Sequence, residues 1–202
     1  MTRYAATWAC SFAVVATVLT APSPIASAQE SRPAATLPAA GSAAPDFTLP
    51  DAHTGKARIL REFARAKRPV VLFFFCGCPA CHAVATEWAT LQHGNALPAS
   101  TATVIVYSTA DRAEARARVA VSGLDKKRTA VLCDTEDLSI TERLYHAEPC
   151  PRLFVVDPAS KVVYANTGDD EKPQEAPSGL LVARAFSALQ STITKTESNP
   201  AP

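Results

Sequence analysis

Two cysteines three residues apart, Cys78 and Cys81, are the residues of this sequence best placed to do chemistry. A short apolar run, residues 70–75, precedes them, and Pro79 can open a helix because the first helical turn does not need its missing N–H. There the free N–H groups and the helix dipole favour a thiolate at Cys78. We expect Cys78 to attack a partner's disulfide and Cys81 to resolve the mixed disulfide.

Other interpretations of this pair stay open. It could form an inert disulfide that only staples the helix, or half of a zinc site, which normally needs a second Cys/His pair at ligand spacing. The sequence shows no such pair. A third interpretation is a protein that binds copper or another soft metal, because thiolates favour such ions and several cysteines are expected to cluster. We expect no cofactor and no bound metal.

The cysteine count also points to thiol chemistry. One of the six cysteines, Cys10, lies in the first 28 residues, and five follow it: Cys76, Cys78, Cys81, Cys133 and Cys150. Because five is odd, at least one thiol must stay free, pair with another molecule or bind something.

Strand and helix patterns alternate along the chain, which predicts an α/β fold with a mostly parallel sheet, helices on both faces and an antiparallel strand added by a terminal hairpin. Turn and capping residues, such as Asp111 before a helix and Gly94 after one, set the boundaries. The predicted strands are residues 70–75, 103–107, 130–133, 153–156 and 162–164, and the predicted helices are 79–93, 112–122, 135–146 and 178–190.

This topology places the remaining cysteines. Cys76 and Cys133 end two strands expected to be parallel, and Cys150 begins one expected to be antiparallel to them. All should lie at the sheet edge that carries the C-x-x-C pair, where open α/β sheets place their sites. For Cys133 we favour the role of a small buried apolar residue.

Several motifs, in order, resemble a known family: Ala44-Pro45-Asp46-Phe47-Thr48-Leu49, the apolar run 70–75, Cys78-Pro79-Ala80-Cys81, and Pro151-Arg152-Leu153-Phe154. Residues 41–190 resemble exported thioredoxin-like thiol-disulfide oxidoreductases of the TlpA/ResA type, within the wider redoxin (AhpC/TSA-related) group. The resemblance implies a thioredoxin fold in which Pro151 is a cis-proline that faces the C-x-x-C and docks substrate backbone. Cys150 would then lie beside Cys78 and could exchange with it.

The sequence departs from that family at three positions. Gly77 stands where a Trp usually precedes the first cysteine, Val84 replaces a Glu, and Cys76 is an additional cysteine. Glu87 is the nearest substitute for the missing Glu, although we favour a solvent-facing charge there. His82 either supports the thiolate or ligates a metal, or is simply a partly exposed helix residue.

A peroxiredoxin-like thiol peroxidase is the weaker enzyme hypothesis. The peroxidatic site of that family resembles Pro-x-x-x-Thr-x-x-Cys followed by a later Arg. Neither Cys78 nor Cys81 has a Thr three residues before it, and Pro151 occupies the position that usually carries the Arg.

The N-terminus has the pattern of an export signal. Arg3 precedes an uncharged, mostly apolar stretch, and Ala26-Ser27-Ala28 fits signal peptidase cleavage before Gln29. The alternative is an uncleaved anchor, although the apolar stretch is shorter than the roughly 20 residues that a bilayer span needs. We predict a signal peptide over 1–28, a linker over 29–40, one domain over 41–190 and a flexible tail over 191–202. The expected location is periplasmic or otherwise extracytoplasmic, where disulfides persist.

Charge limits the possible partners. Lys and Arg total 20 and Asp and Glu total 19, which gives a formal net charge of +1. A nearly neutral chain without a basic block lacks the electrostatic footprint of a nucleic-acid binder. We expect the partners to be protein thiols or disulfides and a redox partner protein, with membrane attachment only if the signal stays uncleaved.

Overall fold

A five-stranded sheet organises the part of the chain that the computed structural model describes, residues 37–65, 68–166 and 177–198. All of these residues fall in one compact unit, Pro33–Pro202. The elements are β1 (Thr48–Pro50), β2 (Ala57–Ile59), α1 (Leu60–Arg65), β3 (Val70–Phe75), α2 (Pro79–His93), β4 (Ala102–Tyr107), α3 (Arg112–Ala120), β5 (Thr129–Cys133), a π-helical turn (Ser139–Leu144), β6 (Arg152–Val156), β7 (Val162–Ala165) and α4 (Ser178–Ser198).

The strand order in the sheet is β5-β4-β3-β6-β7. β3, β4 and β5 are parallel, β6 runs antiparallel to β3, and β7 runs antiparallel to β6. β1 and β2 form a separate antiparallel pair. The predicted α/β fold, a mostly parallel sheet flanked by helices with an antiparallel strand added by a terminal hairpin, is confirmed.

The central strand β3 is buried on both faces, as its continuous apolar run predicts. Successive side chains point to opposite faces of a strand. Val71, Phe73 and Phe75 join the core that contains residues of α2, α3 and α4. Val70, Leu72 and Phe74 join a second core with residues of β1, α1 and the segment after β5. β3 therefore holds its C-terminal end, where the cysteines begin, in a fixed position.

Helix α2 begins at Pro79 and ends before Gly94, as predicted. Two buried polar contacts fix it against β4. The indole N–H of Trp88 and the side-chain amide of Gln92 each donate to the Thr103 hydroxyl oxygen, both at 3.1 Å. These bonds satisfy polar groups that would otherwise be costly to bury, and they hold the C-terminal half of α2 against β4.

The helix predicted over 135–146 is wrong. Only a π-helical turn, Ser139–Leu144, forms there. The buried carboxylate of Asp134 accepts the backbone N–H groups of Ile140 and Thr141 at 3.2 and 2.8 Å. Because these bonds draw the chain back toward the end of β5, a regular helix cannot start at residue 135.

Residues 191–198, predicted as part of a flexible tail over 191–202, are helical, because α4 continues to Ser198. Residues 199–202 lie outside the described residues. Thr192 is buried and Ile193 packs against the core. The Thr192 hydroxyl donates to the Ala188 carbonyl one turn earlier, at 2.8 Å, which satisfies this polar group inside the helix. The run of Ser and Thr residues therefore continues the helix instead of ending it.

At the other end of the chain, the predicted signal peptide and most of the predicted linker lie outside the described residues. Leu37 and Pro38, at the end of that linker, are described; Pro38 is buried and Leu37 packs against the core. Packing therefore extends to residue 37. None of the helices in the described ranges is long and apolar enough to cross a membrane.

Candidate redox site

Four sulfur atoms converge at the carboxyl end of β3. The Sγ atoms of Cys76, Cys78, Cys81 and Cys150 all lie within 4.8 Å of one another. Cys76 follows β3, Cys78 caps α2, Cys81 lies in the first turn of α2, and Cys150 lies in the loop that precedes β6. The fold thus unites the C-x-x-C pair with two further cysteines, which we call the sulfur cluster.

The two C-x-x-C cysteines lie in different environments. Cys78 is the N-cap of α2 and is half-buried, and its sulfur accepts the backbone N–H of Cys81 at 3.4 Å. Cys81 is completely buried. Burial is the main cause that raises the pKa of the Cys81 thiol well above its usual range, and the adjacent Cys78 adds to this effect. Cys78 is therefore the sulfur that solvent and partners can reach, while Cys81 keeps its proton at neutral pH.

A disulfide joins Cys76 to Cys150, with 6.6 Å between their Cα atoms, inside the normal range for such bonds. Cys78 and Cys81 are both free thiols. The expected closeness of Cys150 to Cys78 is found, but the bonded partner of Cys150 is the additional Cys76. The Cys76 sulfur also lies 3.7 Å from the Cys81 sulfur. A thiol and a disulfide are therefore in direct contact.

The loop before β6 carries the cis-proline that the resemblance implies. The Cys150–Pro151 peptide bond is cis, and so is Glu148–Pro149. The buried Asn166, just after β7, holds this loop: its side-chain amide donates to the Pro151 carbonyl at 3.1 Å, and its side-chain oxygen accepts the Leu153 N–H at 2.7 Å. Sequence reasoning missed Asn166, because a lone Asn after a strand resembles any turn residue.

Gly77 separates Cys76 from Cys78 and has a φ of +81°. A Cβ atom at this position would lie only 2.6 Å from the Tyr107 hydroxyl oxygen. Tyr107 is buried at the end of β4, and burial raises the pKa of its hydroxyl. Backbone conformation and this close approach together explain why glycine stands where the resembling family usually carries Trp.

Comparison with known proteins agrees with this geometry. The sequence profile described as Redoxin matches residues 39–180. The chain belongs to the Redoxin family. This membership makes it a thioredoxin-like oxidoreductase. None of the curated proteins matches the sequence significantly.

Solved structures show the same fold as this redoxin. A protein from Chlorobium tepidum, assigned as the thiol:disulfide interchange protein DsbE, has 24% identity and a TM-score of 0.54, over 74% of this chain and 99% of that one. The peroxidoxin BcpB from Mycobacterium tuberculosis has 22% identity and a TM-score of 0.57, over 75% and 96%. A thioredoxin domain of a thiol-disulfide oxidoreductase from Bacteroides vulgatus has 19% identity and a TM-score of 0.53, over 78% and 96%. These similarities establish the thioredoxin fold.

Two other candidates from the sequence lie outside the sulfur cluster of this redoxin. The His82 ring packs edge-on against Phe75, and its Nδ1 atom lies 3.3 Å from the Ser122 hydroxyl oxygen. Cys133 ends β5 at the expected sheet edge but is fully buried in the core, and burial raises the pKa of its thiol. Among the described residues, the group that could share one metal ion contains neither of them.

Glu87, the nearest substitute for the family's missing Glu, does not point freely into solvent. It is half-buried, and its carboxylate accepts a hydrogen bond from the hydroxyl of Ser178, the first residue of α4. A carboxylate at a helix N-terminus is favourable because it meets the positive end of the helix dipole. Glu87 therefore joins α2 to α4 in this redoxin.

Proposed function

We propose that the chain is an exported thiol-disulfide oxidoreductase in which Cys78 is the nucleophile and Cys81 the resolving thiol. One observation carries this proposal: the sulfur of the half-buried Cys78, at the start of α2, lies next to the sulfur of the buried Cys81 and close to the loop that carries the cis-proline Pro151. The contact from the Cys81 N–H to the Cys78 sulfur strengthens when that sulfur is ionised, because hydrogen bonds to charged acceptors are stronger than those to neutral ones.

The exchange proceeds in two balanced steps. The Cys78 thiolate attacks one sulfur of a partner disulfide, a mixed disulfide forms, and the partner's other sulfur leaves and takes up a proton. Cys81 then loses its proton and attacks the Cys78 sulfur, which forms the Cys78–Cys81 disulfide and releases the partner as a dithiol. Both steps are reversible, so the reduction potentials of the two proteins set the direction.

Pro151 is proposed to dock the backbone of the partner. The loop that carries it borders the Cys78 sulfur through Cys150, and Asn166 fixes its position from behind. A rigid loop of this kind can bind an extended segment of a partner so that a sulfur of the partner lies near the Cys78 sulfur. Holding the two sulfurs in this orientation lowers the entropic cost of the exchange reaction. The partners that fit this arrangement are protein thiols or disulfides.

Assays of disulfide exchange on purified variants test the assignment. We expect Cys78→Ser to abolish exchange with insulin or glutathione disulfide, and Cys81→Ser to accumulate the mixed disulfide with Cys78. Cys133→Ser is the matched control, because this thiol is buried away from the sulfur cluster, and it should retain exchange. Activity that survives Cys78→Ser would show that the nucleophile is another residue.

Export is proposed from the N-terminal pattern around Arg3 and Ala26-Ser27-Ala28. The Cys76–Cys150 disulfide supports this, because such bonds persist mainly in oxidising compartments. Sequencing the N-terminus of protein isolated from the native cell envelope should give Gln29. A form that begins at Met1 and fractionates with the cytosol would refute export.

Binding of a soft metal ion is a second candidate function. The sequence lacks a second cysteine pair at ligand spacing, but the fold supplies Cys76 and Cys150 to the same cluster. Four thiolates are a common donor set for zinc and also suit copper(I). Reduction of the Cys76–Cys150 disulfide would have to come first. One metal ion per chain after anaerobic purification, lost in Cys150→Val, would favour this function over disulfide exchange.

A further inference from the structure

The disulfide between Cys76 and Cys150 is buried on its Cys150 side, whereas Cys76 is half-buried. Cys150 is only 2% exposed and precedes Pro151 in the loop before β6. A partner protein therefore has no direct route to the Cys150 sulfur. The nearest reactive group is inside the chain, because the Cys81 thiol contacts the Cys76 sulfur at 3.7 Å. An inert structural disulfide is normally insulated from free thiols, whereas this one lies against one.

We propose that Cys76 and Cys150 form a second redox centre that exchanges disulfides with the C-x-x-C pair inside one chain. This inference rests on the proposed exchange chemistry of Cys78 and Cys81. It assigns Cys76 and Cys150 a catalytic role, since their sulfurs would be reacting atoms. The fully oxidised chain would then carry two disulfides and accept four electrons.

The internal exchange balances without an added oxidant. From the state in the structure, Cys81 gives up its proton and its thiolate attacks the Cys76 sulfur. The Cys76–Cys81 bond forms, the Cys76–Cys150 bond breaks, and Cys150 takes up one proton. The Cys78 thiolate, formed by loss of its proton, then attacks the Cys81 sulfur, and Cys76 leaves and takes up the second proton. Two electrons have moved from the C-x-x-C pair to the Cys76–Cys150 pair.

The depth of Cys81 makes it the link between the two pairs. Its sulfur is buried and lies within reach of both the Cys78 sulfur and the Cys76 sulfur, which belong to half-buried residues. Burial raises the pKa of the Cys81 thiol, so the fraction present as thiolate, and with it the rate of internal exchange, should increase with pH.

Timed reduction of the full-length mature protein tests the proposal. The fully oxidised chain is mixed with dithiothreitol, quenched with acid at intervals and alkylated, and each cysteine is mapped by mass spectrometry. In the wild type, the C-x-x-C pair should open first and the Cys76–Cys150 pair should follow. In Cys81→Ser, the reduction of Cys76–Cys150 should slow by about tenfold or more. Cys133→Ser should follow the wild-type time course.

Two comparisons keep the outcomes distinct. If the C-x-x-C pair exchanges normally but Cys76–Cys150 opens equally fast in the wild type, in Cys81→Ser and in the double variant Cys78→Ser/Cys81→Ser, the internal exchange is refuted and the proposed function stands. If the C-x-x-C pair itself exchanges with neither dithiothreitol nor insulin, the proposed function fails. Should Cys81→Ser lose its circular dichroism signal, the wild type still decides: a Cys76–Cys150 disulfide that opens before the C-x-x-C pair contradicts the proposal.

Discussion

Gly77 is the residue on which the spacing of the cysteines depends. Its positive φ turns the chain between Cys76 and Cys78, a conformation that costs an L-residue roughly 1–2 kcal/mol. The Tyr107 hydroxyl occupies the space that a side chain at position 77 would need. Two independent restrictions, one in the backbone and one in packing, therefore act on the same residue.

Gly77→Ala should lower the free energy of unfolding by more than the cost of φ alone. Gly123→Ala is the matched control, because Gly123 has a φ of +71° and a Cβ added there would meet no atom within 4 Å. Tyr107→Phe removes the clashing oxygen, so Gly77→Ala should cost less in that background. Urea unfolding of the four variants measures these differences. If Gly77→Ala and Gly123→Ala lower the free energy of unfolding equally, the close approach of the Tyr107 hydroxyl does not contribute to the cost at position 77.

At the scale of elements, the β6–β7 hairpin positions the proposed docking loop. Asn166 ends this hairpin and bonds to residues on both sides of the start of β6. In addition, its carbonyl accepts a bond from the buried Arg152 guanidinium at 2.6 Å. The cis-proline loop is thus held by the end of the strand pair in addition to the Cys76–Cys150 disulfide.

Asn166→Ala should lower the free energy of unfolding by about 1–3 kcal/mol, because it leaves the buried Leu153 N–H and Pro151 carbonyl without this partner. The rate of exchange with a protein disulfide should fall as the loop loosens, while alkylation of Cys78 by iodoacetamide should stay unchanged. Thr90→Ala is the control, since that exposed hydroxyl bonds only to its own helix. If Asn166→Ala changes neither the free energy of unfolding nor the rate of exchange, Asn166 does not hold the cis-proline loop in place.

Across the whole molecule, several ionisable groups are buried in their neutral form. Burial raises the pKa of the Cys81 and Cys133 thiols and of the Tyr107 and Tyr145 hydroxyls. In the unfolded chain the Cys81 and Cys133 thiols release their protons near pH 8.5, whereas the folded chain retains them. Above that pH the unfolded state binds fewer protons than the folded state, so stability must fall as pH rises.

The contribution of Cys81 should therefore be complete below about pH 8 and be lost progressively at higher pH, with a slope approaching 1.4 kcal/mol per pH unit. Urea unfolding of the fully reduced protein between pH 7 and 10 measures this slope. In the reduced Cys81→Ala variant, the decrease in unfolding free energy with pH should be less steep, by the amount that corresponds to about one bound proton. Identical slopes for the two proteins would mean that the Cys81 thiol titrates normally in the folded state.

The sequence by itself determined the local elements and the order in which they meet. The apolar run of β3, Pro79 at the start of α2 and Asp111 before α3 each use short-range chemistry, so their boundaries could be read from neighbouring residues. The alternation of strands and helices then placed Cys76 and Cys150 at one sheet edge. The C-x-x-C pair needed no tertiary information, because three residues of helix bring its sulfurs together.

Only the tertiary structure decided which cysteines bond and what holds them. Cys76 and Cys150 are 74 residues apart, and their pairing depends on Cα distance and Cβ direction, which the packed sheet alone fixes. The same is true of the Tyr107 hydroxyl above Gly77 and of Asn166 behind Pro151. The prediction of a helix after β5 was wrong for the same reason. The buried Asp134 carboxylate accepts hydrogen bonds from backbone N–H groups six and seven residues later in the chain. The local pattern of apolar residues does not show that these N–H groups bond to Asp134 instead of to helix carbonyls.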